Sequence, residues 1–70
     1  MNNSKSKEDL LFEYVRKGNI DYVAKLLSTD DSINVNHANY HGDTALSIAS
    51  KLGHTKCVEL LLKHPNINVN

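Results

Sequence analysis

Few placements in this 70-residue chain bring together residue types that could do chemistry. His37 and His41 stand four apart, a spacing that could suit a metal pair. Tetrahedral zinc needs three or four ligands, and no cysteine or carboxylate group completes the set. His54 and Cys57 stand three apart on one candidate helix, as a base and a nucleophile would. A reactive thiol needs an electropositive, accessible setting, and an apolar helix favours a buried cysteine acting as a small hydrophobe. Carboxylates pair only as Glu8-Asp9, where a helix start explains them, and as Asp30-Asp31, in a solvated loop. Gly18, Gly42 and Gly53 stand alone, so no glycine-rich phosphate loop is present. Tyr14, Tyr22 and Tyr40 are too scattered for a base-stacking platform. The expectation is a chain with no catalytic residues, no metal and no cofactor, and not an enzyme.

Composition narrows the partners. Eight basic residues against eight acidic ones give a net charge of +0 with histidines neutral. The attraction that draws proteins to nucleic acid or to a membrane surface is therefore absent, and neither partner is expected. The single cysteine cannot form an internal disulfide, and no apolar stretch follows the N-terminus as a secretory signal would require. A reducing intracellular setting, the cytoplasm, fits best. No run approaches the roughly 18 apolar residues of a membrane span. Asn2-Asn3-Ser4 matches a glycosylation sequon and, without a secretion signal, reads as accidental.

The elements that position these residues occur twice. Gly18-Asn19-Ile20-Asp21-Tyr22-Val23-Ala24-Lys25-Leu26-Leu27 aligns with Gly53-His54-Thr55-Lys56-Cys57-Val58-Glu59-Leu60-Leu61-Leu62, glycine on glycine and valine on valine. The offset is 35 from Gly18 to Gly53 and 34 from Asn36 to Asn70, so the two copies differ by one residue in the loop between. A period of roughly 20–50 residues signals stacked repeats.

Each copy reads as two short helices. In the second copy, Asp43 or Thr44 caps a helix over 45–52 with Leu46, Ala49 and Leu52 as its apolar stripe. Gly53 ends it in the left-handed conformation. A helix over 55–63 then carries Val58, Leu61 and Leu62 inward, and Pro65 stops it. The first copy repeats the plan with Leu11, Tyr14 and Val15, then Gly18, then Ile20, Val23, Leu26 and Leu27. Between the copies, the stretch STDDSINVNHANYHGD has the composition of turns.

At this point the sequence resembles the ankyrin repeats. NYHGDTALSIASKLGHTKCVELLLKHPNINVN is similar to the family's D-x-x-G loop, T-P-L-H, small pair, G-H, V-x-L-L-L helix and closing D-V-N. Asn39, Gly42, Thr44, Leu46, Ala49, Gly53, His54, Val58, Leu60, Leu61, Leu62, Val69 and Asn70 fall in register. Ala45 replaces the family's proline, and Ser47 replaces the histidine that ties helix to loop, which should weaken the loop's anchoring. The resemblance implies an all-α stack of helix-turn-helix repeats with a hairpin-like loop between them. Residues 1–7 are expected to form a disordered tail, 8–38 a capping repeat and 39–70 a second repeat. Lys25, where the second copy has Leu60, suits a capping repeat whose outer face meets water.

The resemblance also implies a protein-binding module that uses loop tips and the inner helix surface. Carried over, the positions are Tyr40, His41 and Asp43 in the loop, Lys51 and Leu52 at the end of the inner helix, and Arg16 and Lys17 in the first copy. Tyr40 would be the anchor, because tyrosine gives large contact area at low entropic cost. The alternative for Tyr40 is packing against its own loop. The partner is an unknown protein. Another reading makes the chain a structural cap, or a fragment of a longer stack attached to a catalytic or effector domain. Stacks usually need about three repeats. Ile48, Leu52, Val58, Leu62 and Val69 are therefore expected to lie partly uncovered, so either the natural protein continues past Asn70 or two chains pack as a homo-oligomer.

Overall fold

The computed structural model describes residues 6–29 and 32–67, which form four helices in two antiparallel pairs. The helices are α1 (Lys7–Lys17), α2 (Ile20–Thr29), α3 (Ala45–Leu52) and α4 (Thr55–Leu62). No strand occurs among the described residues. Asp30-Asp31 and the closing Asn68-Val69-Asn70 lie outside them.

Local chemistry sets the helix ends. Ser6 caps α1: its hydroxyl accepts from Asp9 N at 3.1 Å, while Ser6 N donates to Asp9 Oδ2 at 3.4 Å, the reciprocal pairing of a capping box. Glu8 and Asp9 in the first turn and Arg16 and Lys17 in the last both complement the helix dipole. Ser6 and Lys7, expected to fall within the N-terminal tail, belong to this helix start, and residues 1–5 lie outside the described residues. Gly18 closes α1 at φ +68, and Gly53 closes α3 at φ +74, the left-handed cap that glycine adopts without a Cβ penalty. Thr44 is the cap of α3, its Oγ1 accepting from Ser47 N at 3.2 Å. Helix α2 ends where Ser28 and Thr29 hydroxyls donate back to the Lys25 carbonyl at 3.2 and 2.7 Å. Helix α4 stops at Leu62, with Lys63 as its C-cap and Pro65 following.

Helices α1 and α3 pack side by side as one layer, α2 and α4 as the other, and each repeat's own pair crosses between the layers. The core holds Leu11, Phe12 and Val15 of α1, Val23 of α2, Ala45, Ile48 and Ala49 of α3, and Cys57 and Leu61 of α4. Ala45 and Ala49, one turn apart, leave α3 thin enough to lie close against α1. Ile33 and Val35, in the stretch whose composition reads as turns, are also buried. They are held by Asn34 N donating to Glu8 Oε2 at 2.8 Å, which ties the connecting segment to the start of α1.

The stripe of α3 differs from expectation. Ala49 is buried and Leu46 packs against the core half-buried, but Leu52 is 51% exposed. An eight-residue helix wedged between α1 and α4 buries positions i, i+3 and i+4, here Ala45, Ile48 and Ala49, while Leu52 at i+7 shares that face but is the last residue of the helix, where the packing runs out. Ile48, expected to be uncovered, is therefore buried, and Val58 is half-buried. Leu62, expected to point inward, is 48% exposed. Leu52 and Leu62 remain of the face expected to be open, with Val69 outside the described residues.

Candidate protein-interaction surface

The loop that begins the second repeat is organised by one side chain. Asn39 Oδ1 accepts from His41 N at 2.9 Å and from Asp43 N at 3.0 Å. Its backbone completes the turn: Asn39 N donates to the Asp43 carbonyl at 2.9 Å, and Gly42 N donates to the Asn39 carbonyl at 3.0 Å. Gly42 sits at φ +79, a conformation that the tight reversal requires and glycine supplies. Asparagine in this role mimics a backbone turn. Ser47 stays within the first turn of α3, its hydroxyl 3.2 Å from Thr44 Oγ1, so the loop's anchoring comes from Asn39 instead.

Tyr40 occupies the tip of that turn with a relative exposure of 102%, so it does not pack against its own loop. Beside it, Tyr40, His41 and Asn39 face Asp9, Phe12 and Arg16 across a groove of about 360 Å³. Asp9, Phe12 and Arg16 stand at i, i+3 and i+7, one face of α1. The groove extends over Ala38 and His37, whose ring lies 6.0 Å from the Phe12 ring at 34°. The loop thus folds back beside the first repeat, and an aromatic tip, an aromatic floor and a guanidinium share one concavity.

Of the seven residues expected to bind, Tyr40, His41 and Arg16 come together there. Asp43 and Lys51 pair with each other, Nζ to Oδ1 at 2.7 Å. Lys17 pairs with Glu13 at 3.2 Å on α1. Leu52 is exposed and lines no part of the groove. Phe12, Asp9 and His37 were not expected. The signal for Asp9 and Phe12 is the α1 spacing, which is informative only once the loop is known to lie against that face, and His37 joins them from the loop itself.

Cys57 is fully buried, and burial pushes its thiol up from the ordinary 9.0, the opposite of what a nucleophile needs. His54 Nε2 lies 3.1 Å from the Arg16 carbonyl oxygen, a link between the repeats. No cluster of three histidine, cysteine or carboxylate residues that could hold a metal occurs among the described residues. No helix among them is long and apolar enough to cross a membrane.

Comparison with known proteins decides the family. A model described as ankyrin repeats (3 copies) matches residues 1–70. The chain belongs to the ankyrin-repeat family. It is 36% identical over 62 residues to short transient receptor potential channel 3 of Homo sapiens, covering 89% of this chain and 7% of that one. It is 40% identical over 52 residues to cortactin-binding protein 2 of Ornithorhynchus anatinus, covering 74% and 3%. It is 34% identical over 67 residues to osteoclast-stimulating factor 1 of Bos taurus, covering 96% and 30%. The chain therefore spans under a third of the length of each of these relatives. No solved structure gives a significant match. Ankyrin repeats are in general non-catalytic protein-interaction modules.

Proposed function

We propose that this ankyrin unit binds a partner protein through the groove between the 39–43 turn and α1, with Tyr40 as anchor and Arg16 and His41 as polar contacts. The observation that carries this reading is the presentation of Tyr40. A fully exposed aromatic on a turn whose backbone is fixed by four hydrogen bonds leaves only its two side-chain torsions to order on binding, so little of its contact area is offset by backbone entropy. Among the described residues the Arg16 guanidinium forms no ion pair, which leaves it available to a carboxylate. Asp43 and Lys51 serve the loop, since their mutual bridge joins it to the end of α3. Two repeats offer a small surface, and the affinity of this unit alone is expected to be weak. The lone buried thiol suits a reducing compartment such as the cytoplasm.

The test places a photo-crosslinking amino acid at position 40 and, as a control, at exposed position 56 of α4. Binding through the groove gives a discrete adduct from position 40, none from 56, and its loss on Arg16→Glu. Adducts equal at both positions would remove the proposal. A second reading is favoured by half-exposed Leu52 and Leu62: a structural cap that self-associates through that face. In that case changes at Tyr40, His41 and Lys51 would cost nothing, while changes at Leu60 or Leu61 would cause aggregation.

A further inference from the structure

On the opposite layer, α2 and α4 leave a second groove of about 390 Å³ between them. Its floor is apolar: Ala24 and Leu27 come from α2 and Leu60 from α4, with both leucines resting half-buried on the core. Its rim is made of groups that donate hydrogen bonds. Lys25 and Lys63 stand exposed on the two sides. Among the described residues neither ammonium forms an ion pair, although Asp21 and Glu59 lie one helical turn away from them. Lys17 and Lys51, in the other layer, are both paired. His64 completes the rim, and its Nδ1 accepts from Asn66 N at 3.1 Å. The neutral ring's proton then sits on Nε2, which makes that atom a donor too.

We infer that the α2–α4 groove is a second docking surface, whose occupant is an acidic amphipathic helix of a partner protein. An apolar floor between two unneutralised ammonium groups calls for an apolar ridge flanked by carboxylates, the pattern of a helix with leucines on one face and glutamates beside them. A small amphiphile fits less well. Small-molecule sites enclose about 70–90% of their ligand's surface, whereas this groove is an open trough between α2 and α4. Lys25 is central to the assignment: it stands where the second copy has Leu60, so the first repeat places a cation at the position that carries an apolar side chain in the next. The surface lies on the layer opposite the Tyr40 groove and does not depend on it.

The experiment titrates the ¹⁵N-labelled chain with a synthetic helical peptide carrying leucine at i, i+4 and i+7 and glutamate on both flanks. Its glutamine counterpart is the control. Shifts confined to Ala24, Leu27, Leu60 and Lys63, with the glutamate peptide binding about tenfold tighter, support the assignment. Lys25→Glu with Lys63→Glu, both at exposed sites, should weaken that binding by about tenfold or more while leaving the rest of the spectrum in place. Equal binding of the glutamine peptide overturns the assignment, as do shifts centred on Tyr40. So does sodium octanoate perturbing the groove where the peptide does not.

Discussion

His54 of the second repeat reaches back to the first, its Nε2 3.1 Å from the carbonyl oxygen of Arg16 at the end of α1. The approach is possible because Gly18 lies under the ring: a Cβ built there would stand 3.1 Å from His54 Cε1. Helix ends carry unsatisfied carbonyls, and this bond satisfies one of them with a group from the neighbouring repeat. Gly18 and Gly53 share nearly the same left-handed backbone, yet Gly53 has open space around it. The pair therefore separates two effects. Gly53→Ala should cost only the left-handed penalty of about 1–2 kcal/mol. Gly18→Ala should cost more in urea melts, and the excess should shrink when His54→Ala is added, as a double-mutant cycle would report. Equal costs for the two glycines would mean that the His54 contact carries no energy.

Asn39 and Tyr40 are adjacent and should behave oppositely. Asn39 Oδ1 satisfies two backbone N–H groups, so Asn39→Ala leaves both without that partner and should lower stability by about 1–3 kcal/mol. Tyr40 touches little, so Tyr40→Ala should leave the melt unchanged within about 0.5 kcal/mol. It should nonetheless remove binding to whatever partner crosslinks at that position. A matched drop in stability for Tyr40→Ala would mean that the ring packs in solution.

How far these relationships could be read from sequence depends on their range along the chain. Gly18, Gly53, Thr44 and Pro65 act on their immediate neighbours, and the bounds of α3 follow from them. The family pattern did the same for the repeat plan. Ile33 and Val35 were hidden because Asn, Asp and Ser dominate their surroundings, and burial there comes from α1 through the Glu8 bond rather than from local periodicity. A stripe at every third residue takes Leu46 for the inner face of α3, where packing against α1 and α4 selects Ile48 instead. The groove was half legible: Tyr40 and Arg16 follow from register, whereas Phe12 joins them only after the loop folds back. The Asp43–Lys51 pair joins a loop to a helix end, so side chains expected to face a partner are engaged with each other.

Cys57 should be inert in the folded chain. Its side chain is fully buried among apolar neighbours, and burial raises its thiol above 9.0. Reaction with a maleimide or an aromatic disulfide should therefore be slow in buffer and complete in urea. The sign of the pH effect follows from the same shift. The folded state holds the proton more tightly than the unfolded chain does, so this contribution is fully present below the ordinary thiol value and is lost as pH rises through the raised one. Stability to urea should decline on the alkaline side for the native chain more than for Cys57→Ala. Rapid native-state labelling would show that α4 opens readily.

Leu52 and Leu62 are the test of the exposed end. At 51% and 48% exposure, one at the end of each second-repeat helix, they contribute little to the core of the unit but offer apolar area to a neighbour. If that area drives association, mass by light scattering should grow with concentration, and Leu52→Lys with Leu62→Lys should return it to the monomer value. Half-exposed leucines give up only part of the roughly 1.5–3 kcal/mol of a fully buried side chain, so the melt should fall only slightly in the double variant. A chain that stays monomeric at every concentration would mean that two repeats suffice without a covering neighbour. Attention would then pass to Tyr40 and to the lysine-rimmed groove on the opposite layer, where electrostatics rather than apolar area selects the partner.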